Sequence, residues 1–483
     1  MRRTMRTQRL RLLVAGCLLL TGCGMRLDHG ARQALLQQSL RGGPAGQTGT
    51  TSLVTAAPTT GPLGAAPGTR GAGPAGPLSP GGAGGMPATQ GPVVRSTMPP
   101  GGNGGSTDVG VTATSITVGT VADQTGPQPG LFDGDVAGVL AYFAYVNSQG
   151  GVNGRTLQAK VADSQTDCNQ TTNAYQALVP SIFAFVGNLS NYDNCGATVL
   201  RANPRLPDVS FTLTPEHTSA PATYSSQPTV PGARTGPARV FASAYPEVKG
   251  AVGGLYADVA SAKAQWLAAK AMLQAEGFDV VYEQGYPPTQ VDFTQYVIGM
   301  RQKNVKMAVL YSTAAYNAKF INAAQQQGFT PPVIEAPGTL YDPAFKDAVG
   351  TAPKNLYTDL ANALYANPEE ARIKGVALYQ QWMRKTAPDQ PLDYFSVFGW
   401  TQAGLFVQAL RDAGPRVTRA ALIEALRRIH HFTSDDMIAS ADPGARRPVS
   451  CYLIAHYDAG VWRRWRSPAD GFRCDAPYYY AKS

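Results

Sequence analysis

From about residue 115 the chain alternates short apolar runs with longer stretches of helical period, and this alternation limits the folds open to it. Ile116–Val121, Leu157–Val161, Ile182–Val186 and Val209–Thr212 read as buried strands. Between the first two, Val136, Val139, Leu140, Phe143 and Val146 recur at helical spacing, and Gly150-Gly151 then ends that helix. Thr166 or Asp167 can cap a helix running toward Leu178. The pattern repeats as strand Val252–Tyr256, helix Ala262–Glu276, strand Val280–Tyr282, helix Phe293–Gln302, strand Met307–Tyr311, helix Ala314–Gln327 and strand Pro332–Glu335. After Asn367 it turns mostly helical to about Arg428, and a hairpin folds around Asp458-Ala459-Gly460. Strands separated by such helices form parallel sheets covered on both faces. The alternating region is too long for one core, so two α/β lobes are expected.

The N-terminus has a different texture. Five arginines between Arg2 and Arg11 precede the apolar run Leu12–Leu20, and Leu20-Thr21-Gly22-Cys23 follows. A short apolar run behind positive charge is a signal peptide rather than a membrane span. Leu-Thr-Gly-Cys fits a lipobox, in which Cys23 becomes the lipidated first residue. Residues 1–22 are therefore read as a lipoprotein signal and 23–106 as the lipidated cysteine and a tether. Gly, Pro, Ala, Thr and Ser dominate residues 42–105, which cannot bury enough area to order the chain. The tether's Gly71-Ala72-Gly73-Pro74-Ala75-Gly76 has the dinucleotide-binding spacing but neither a strand before it nor a helix after it.

The net charge of +9 resides in that N-terminal part, where ten arginines face one acid, Asp28. The remaining residues hold 31 basic and 31 acidic side chains, a balance that argues against nucleic-acid binding. Besides Cys17 and Cys23 there are four cysteines, an even number for an exported chain. Proximity in sequence pairs Cys168 with Cys195 and Cys451 with Cys474. No CxxC spacing marks a metal site.

Catalytic signatures are missing: there is no GxSxG elbow, HExxH or P-loop. The five histidines are scattered, with His29 in the tether, His217 in a loop, His430 and His431 at a helix end and His456 in the last hairpin. The segments after the strands are rich in hydroxyls, amides and aromatic rings, which suit binding of a small solute beyond the strand ends. Each such residue alone could equally cap the next helix.

Four segments carry a family resemblance. Ile116-Thr117-Val118-Gly119 leads to Thr125-Gly126-Pro127, and Asn147–Arg155 (NSQGGVNGR) forms a turn followed by Ala162-Asp163-Ser164. Phe185-Val186-Gly187-Asn188-Leu189-Ser190 and Leu340-Tyr341-Asp342-Pro343-Ala344-Phe345 are the other two. With these the chain resembles the type I periplasmic binding proteins, in particular the Leu/Ile/Val-binding group that serves ABC importers. The resemblance implies two Rossmann-like lobes with parallel central sheets and three hinge crossings. Lobe 1 would be residues 107–228 and 360–431, and lobe 2 residues 229–359 and 432–483. It also supports the Cys168–Cys195 bridge. It implies a non-enzymatic, monomeric receptor without cofactor or metal, anchored by lipid on the outer face of the cell membrane. Its partners would be an amino acid or related carboxylate or amide and an ABC permease; a signalling receptor on the same fold is the alternative.

The polar segments after the strands supply Gln124, Ser261, Tyr311, Thr339 and Tyr341 to the expected ligand set, and the resemblance adds Ser190, Asn191, Thr212 and Thr214. Thr212 and Thr214 would lie in the loop that holds a solute carboxylate. Ser261 lies where a tyrosine is usual, and no acid stands at Pro337-Gly338, where an ammonium would be received; Glu335 and Asp342 flank that position.

Overall fold

The computed structural model describes residues 98–229, 231–350 and 353–481. The signal segment, Cys23 and nearly all of the tether lie outside these residues.

Five parallel strands make the first sheet, in the order β2-β1-β3-β4-β5. They are β1 (Ser115–Ala122), β2 (Thr156–Asp163), β3 (Phe185–Val186), β4 (Asp208–Val209) and β5 (Thr223–Tyr224). The chain then crosses through β6 (Gly232–Arg234) and builds a second sheet. Its parallel part comprises β7 (Val252–Ala257), β8 (Val280–Tyr286), β9 (Met307–Tyr311), β10 (Val333–Glu335) and β11 (Leu356–Leu360). After β11 the chain returns to the first lobe, where helices Lys374–Thr386 and Tyr394–Ala413 pack on helix Asp133–Ser148. It crosses a third time to add the antiparallel hairpin β12 (Leu453–Asp458) and β13 (Val461–Arg464) to the second sheet. The second and third crossings pair with each other, Ala363 N–H donating to Met437 O at 2.8 Å and Ala439 N–H to Ala361 O at 2.7 Å.

Sequence chemistry explains the joints. Helix Asp133–Ser148 buries Val136, Val139, Phe143 and Val146. It touches helix Tyr394–Ala413 at glycines: a Cβ on Gly138 would meet Ser396 O at 2.1 Å and one on Gly399 would meet Asp135 O at 1.9 Å. Asp393 and Ser396 form a capping box that starts the second of these helices. In the NSQGGVNGR turn, Arg155 is buried and its guanidinium donates to the carbonyls of Asn103, Gly105, Thr112 and Pro415. It thereby ties the segment before β1 to the sheet. Asp167 caps helix Cys168–Leu178 by accepting from Gln170 N–H at 2.9 Å. Ala459 and Gly460 both take positive φ in the last hairpin, as a two-residue turn requires.

Several elements differ from the sequence reading. Only Phe185–Val186 and Asp208–Val209 pair as strands, so Ile182–Ala184 and Thr212 lie outside the ladders. Thr212 leaves the sheet because the loop it belongs to is held by a side chain described below. Helices Asp193–Ala202, Gly236–Ala244 and Pro343–Val349 and strand β11 were not legible. Nor was β14 (Tyr478–Tyr480), which pairs antiparallel with β6.

Both disulfides are formed, with Cα–Cα separations of 5.5 Å for Cys168–Cys195 and 4.3 Å for Cys451–Cys474. The second holds the segment that leads into β14. Replacing Cys451 and Cys474 together by serine should lower the unfolding free energy by about 2–4 kcal/mol, measurable as a reduced urea midpoint under oxidising conditions.

Candidate functional site

Between the two sheets lies a cavity of about 760 Å³, within the size range of small-molecule sites. Asn191, Thr212, Thr214, Ser261, Tyr311 and Thr339 all line it, so six of the nine expected ligand residues are brought together. The other three do not reach its wall. Gln124 donates through Nε2 to Asp133 at 3.0 Å, and the Ser190 hydroxyl donates to Asp123 at 2.8 Å. The Tyr341 hydroxyl donates to Asn367 at 3.0 Å, with its ring edge-on to Tyr365.

Ser190 acts one step back from the cavity. Asp123, at the end of β1, is fully buried and accepts from Ser164 and Ser190 hydroxyls and from the N–H groups of Asn191 and Thr166. Burial raises the Asp123 pKa, and these hydrogen bonds oppose the rise. The result is a fixed loop that presents Asn191 to the opposite lobe. There Ser261 Oγ donates to Asn191 Oδ1 at 2.8 Å, and Ser261 N–H to Asn191 O at 3.3 Å. These bonds join the lobes directly across the cleft.

The loop after β4 is organised by another internal carboxylate. Asp193 accepts from the N–H groups of Leu213 at 2.7 Å and Thr214 at 3.3 Å, and from the Thr214 hydroxyl at 2.6 Å. The Thr212 hydroxyl is engaged with Thr218 and Thr229. Of the donors that the resemblance assigns to a solute carboxylate, those of Thr214 are thus turned onto the chain's own Asp193, and the Thr212 hydroxyl onto neighbouring threonines. His217, fully buried, bridges this acid to Asp208, with Nδ1 2.9 Å from Asp193 and Nε2 2.8 Å from Asp208. Burial opposes its protonation, but the charge of Asp208 and the hydrogen bonds to both acids prevail, and its pKa is pushed up to about 10.

A third buried acid closes the far side. Asp359 on β11 accepts from Arg234 Nε at 3.0 Å and Nη2 at 2.6 Å, Arg234 lying on the crossing strand β6. Glu335 lines the cavity but is hydrogen-bonded to Asp359; burial first, then that neighbour's charge and hydrogen bond, raise its pKa well above the usual carboxylate range. Asp342 does not line the cavity. The loop Pro337–Thr339 passes close under Tyr394: Gly338 has a φ of +70°, and a Cβ there would lie 2.1 Å from the Tyr394 ring.

The remaining wall is largely apolar. Phe211 stacks on Phe398 with ring centroids 3.7 Å apart, and Phe395 and Leu213 are only partly buried beside them. Between helix Ala260–Ala275 and β6 the cavity continues past Ala238, Phe241, Met272 and Met307. Three residues of the cavity wall each hold a buried polar atom without a hydrogen-bond partner among the described residues: Asn194 Oδ1, Gln227 Nε2 and Thr313 Oγ1. Among the described residues no cluster of three His, Cys, Asp or Glu could hold a metal, and no helix is long and apolar enough to cross a membrane.

Asp123, Asp193, Arg234 and Asp359 were not singled out by sequence reasoning. The first two sit where an acid reads as a helix start, and Arg234 lies in a Pro/Gly-rich crossing without periodicity.

Comparison with known proteins gives one family. The model described as "Periplasmic binding protein" matches residues 115–461. A fatty acid ABC transporter substrate-binding protein from Thermomonospora curvata is similar in structure, with a TM-score of 0.66 at 20% identity over 76% of this chain and 94% of that one. A substrate-binding periplasmic protein from Ralstonia solanacearum gives 0.64 at 20% identity over 73% and 100%. A leucine-binding protein from Thermotoga maritima gives 0.58 at 16% identity over 72% and 97%. Curated protein sequences give no match to the chain.

The raised pKa of His217 sets a sign for stability against pH. Its contribution is fully present below the ordinary histidine value of about 6.5, declines above it, and is gone above about 10. The wild-type protein should therefore lose more stability between pH 7 and 10.5 than His217→Gln, compared by urea unfolding at each pH.

Proposed function

Because the chain belongs to the periplasmic binding protein family, we propose that it is the extracytoplasmic receptor of an ABC importer, holding a small solute between its lobes and presenting it to a membrane permease. One observation carries the reading: a ligand-sized cavity whose wall brings together Asn191, Thr212 and Thr214 from the loops of the first sheet and Ser261, Tyr311 and Thr339 from those of the second. ABC transporter substrate-binding proteins among the structural neighbours support the same assignment.

Lobe 1 comprises residues 107–228 and 360–431 in this reading, and lobe 2 residues 229–359 and 432–483. Ligand contacts to both lobes favour closure by a hinge motion at the three crossings. The receptor acts as a monomer and performs no chemistry on the solute; hydroxyls, amides and rings fix a molecule without providing an activated nucleophile and base. Residues 1–22 direct export, and Cys23 carries the lipid that retains the receptor at the outer face of the membrane. Palmitate labelling that persists in Cys23→Ser would refute the anchor.

Thermal-shift screening of the purified protein against amino acids, amides, fatty and aromatic acids and sugars tests the receptor role. A solute at 100 times its Kd adds about 2.7 kcal/mol to stability, and a broad library without any rise in Tm would remove the assignment. For a solute that does bind, Ser261→Ala removes a hydrogen bond worth about 0.5–1.5 kcal/mol from the interlobe contact. Affinity by calorimetry should fall about 2- to 10-fold.

A further inference from the structure

An amino acid bound in a cleft needs donors for its carboxylate and an acceptor for its ammonium, and here both places are already satisfied within the chain. The N–H groups of Leu213 and Thr214 and the Thr214 hydroxyl all serve Asp193. A solute carboxylate placed there would face Asp193 at short range without free donors, which is strongly unfavourable away from water. On the other side, Asp359 is paired with Arg234, and Glu335 is hydrogen-bonded to Asp359. Arg234, Asp359 and Glu335 thus serve one another: a cationic solute would have to compete with Arg234 for Asp359, and an anionic one with Asp359 for Arg234.

What the cavity does offer is apolar and aromatic surface. The stacked pair Phe211 and Phe398 forms one end with Phe395 and Leu213, and the branch past Phe241 and Met272 extends it. Of the charged side chains in the wall, Arg234 and Glu335 pair with Asp359 and Lys263 with Asp258 at 3.6 Å, and most of the remaining lining is apolar or neutral. We infer that the cleft selects a small, predominantly apolar solute whose polar end is uncharged, such as an amide or alcohol on an aliphatic or aromatic body, and discriminates against amino acids. This rests on the receptor role proposed above and specifies its substrate class.

Four probes with related apolar bodies separate the possibilities: octanamide, octanoate, octylamine and L-leucine, titrated calorimetrically at pH 7 into the purified full-length protein. Octanamide should bind at least 10-fold more tightly than octanoate or octylamine, and leucine should bind weakest. Shortening the amide to heptanamide should weaken binding about fourfold, the value of one buried methylene at about 0.8 kcal/mol. Phe211→Ala should lower octanamide affinity at least 10-fold while the far-ultraviolet spectrum stays native. Tightest binding by octanoate, octylamine or leucine overturns the substrate class, as does an unchanged octanamide affinity in Phe211→Ala. If none of the four binds but a sugar or another polar solute raises Tm, the class falls and the receptor role stands. If no solute of any class binds and mass spectrometry of the protein as purified finds no retained molecule, both fall.

Discussion

A carboxylate taken out of water must be given donors, at a cost of several kcal/mol if they are missing, and three acids of this chain meet that demand at the rim of one cleft. Asp123 collects two hydroxyls and two backbone N–H groups, fixing the loop after β3. Asp193 collects two N–H groups, a hydroxyl and the His217 ring, fixing the loop after β4. Asp359 holds Arg234, fixing the first crossing strand against the second sheet. Three of the segments around the cavity are thus held by an acid belonging to the fold. Preorganisation of this kind places Asn191 opposite Ser261 and holds Phe211 flat against Phe398.

The same arrangement separates the polarity of the sequence from the polarity of the site. Hydroxyls and amides crowd the segments after the strands, yet most are spent on internal partners: Ser190 on Asp123, Thr214 on Asp193, Thr212 on Thr218 and Thr229. What lines the solute space beside the paired Arg234, Asp359 and Glu335 is largely aromatic and aliphatic. Composition at a strand end therefore measures how much hydrogen bonding a loop needs, not how much it offers outward.

This explains how far the sequence could be read. Long periodic elements were legible because period itself reports burial: β1, β2, β7, β9 and helix Ala314–Gln326 agree with the expected runs within two residues. Strands of two residues, such as β3 and β4, carry no period, and their flanking apolar residues pack as loops. Six site residues were reachable from post-strand position alone. The acids that organise them were not, since position cannot tell whether an aspartate faces a ligand, caps a helix or is enclosed by neighbours. Arg234 and Tyr478 belong to a small sheet whose partners are remote in sequence, which no local window could pair.

That small sheet has a consequence for how the molecule is assembled. The first crossing gains its second strand from residues far along the chain; Thr235 bonds Pro477 across 242 positions. Contacts so distant form late, because the entropy of closing the intervening loop must be met first. Lobe 1 also needs helices Lys374–Thr386 and Tyr394–Ala413 to cover helix Asp133–Ser148. Neither lobe can therefore mature on its first residues alone, and the cleft has no complete wall until nearly all of the described chain is in place. The cavity is thus among the last parts of the molecule to form.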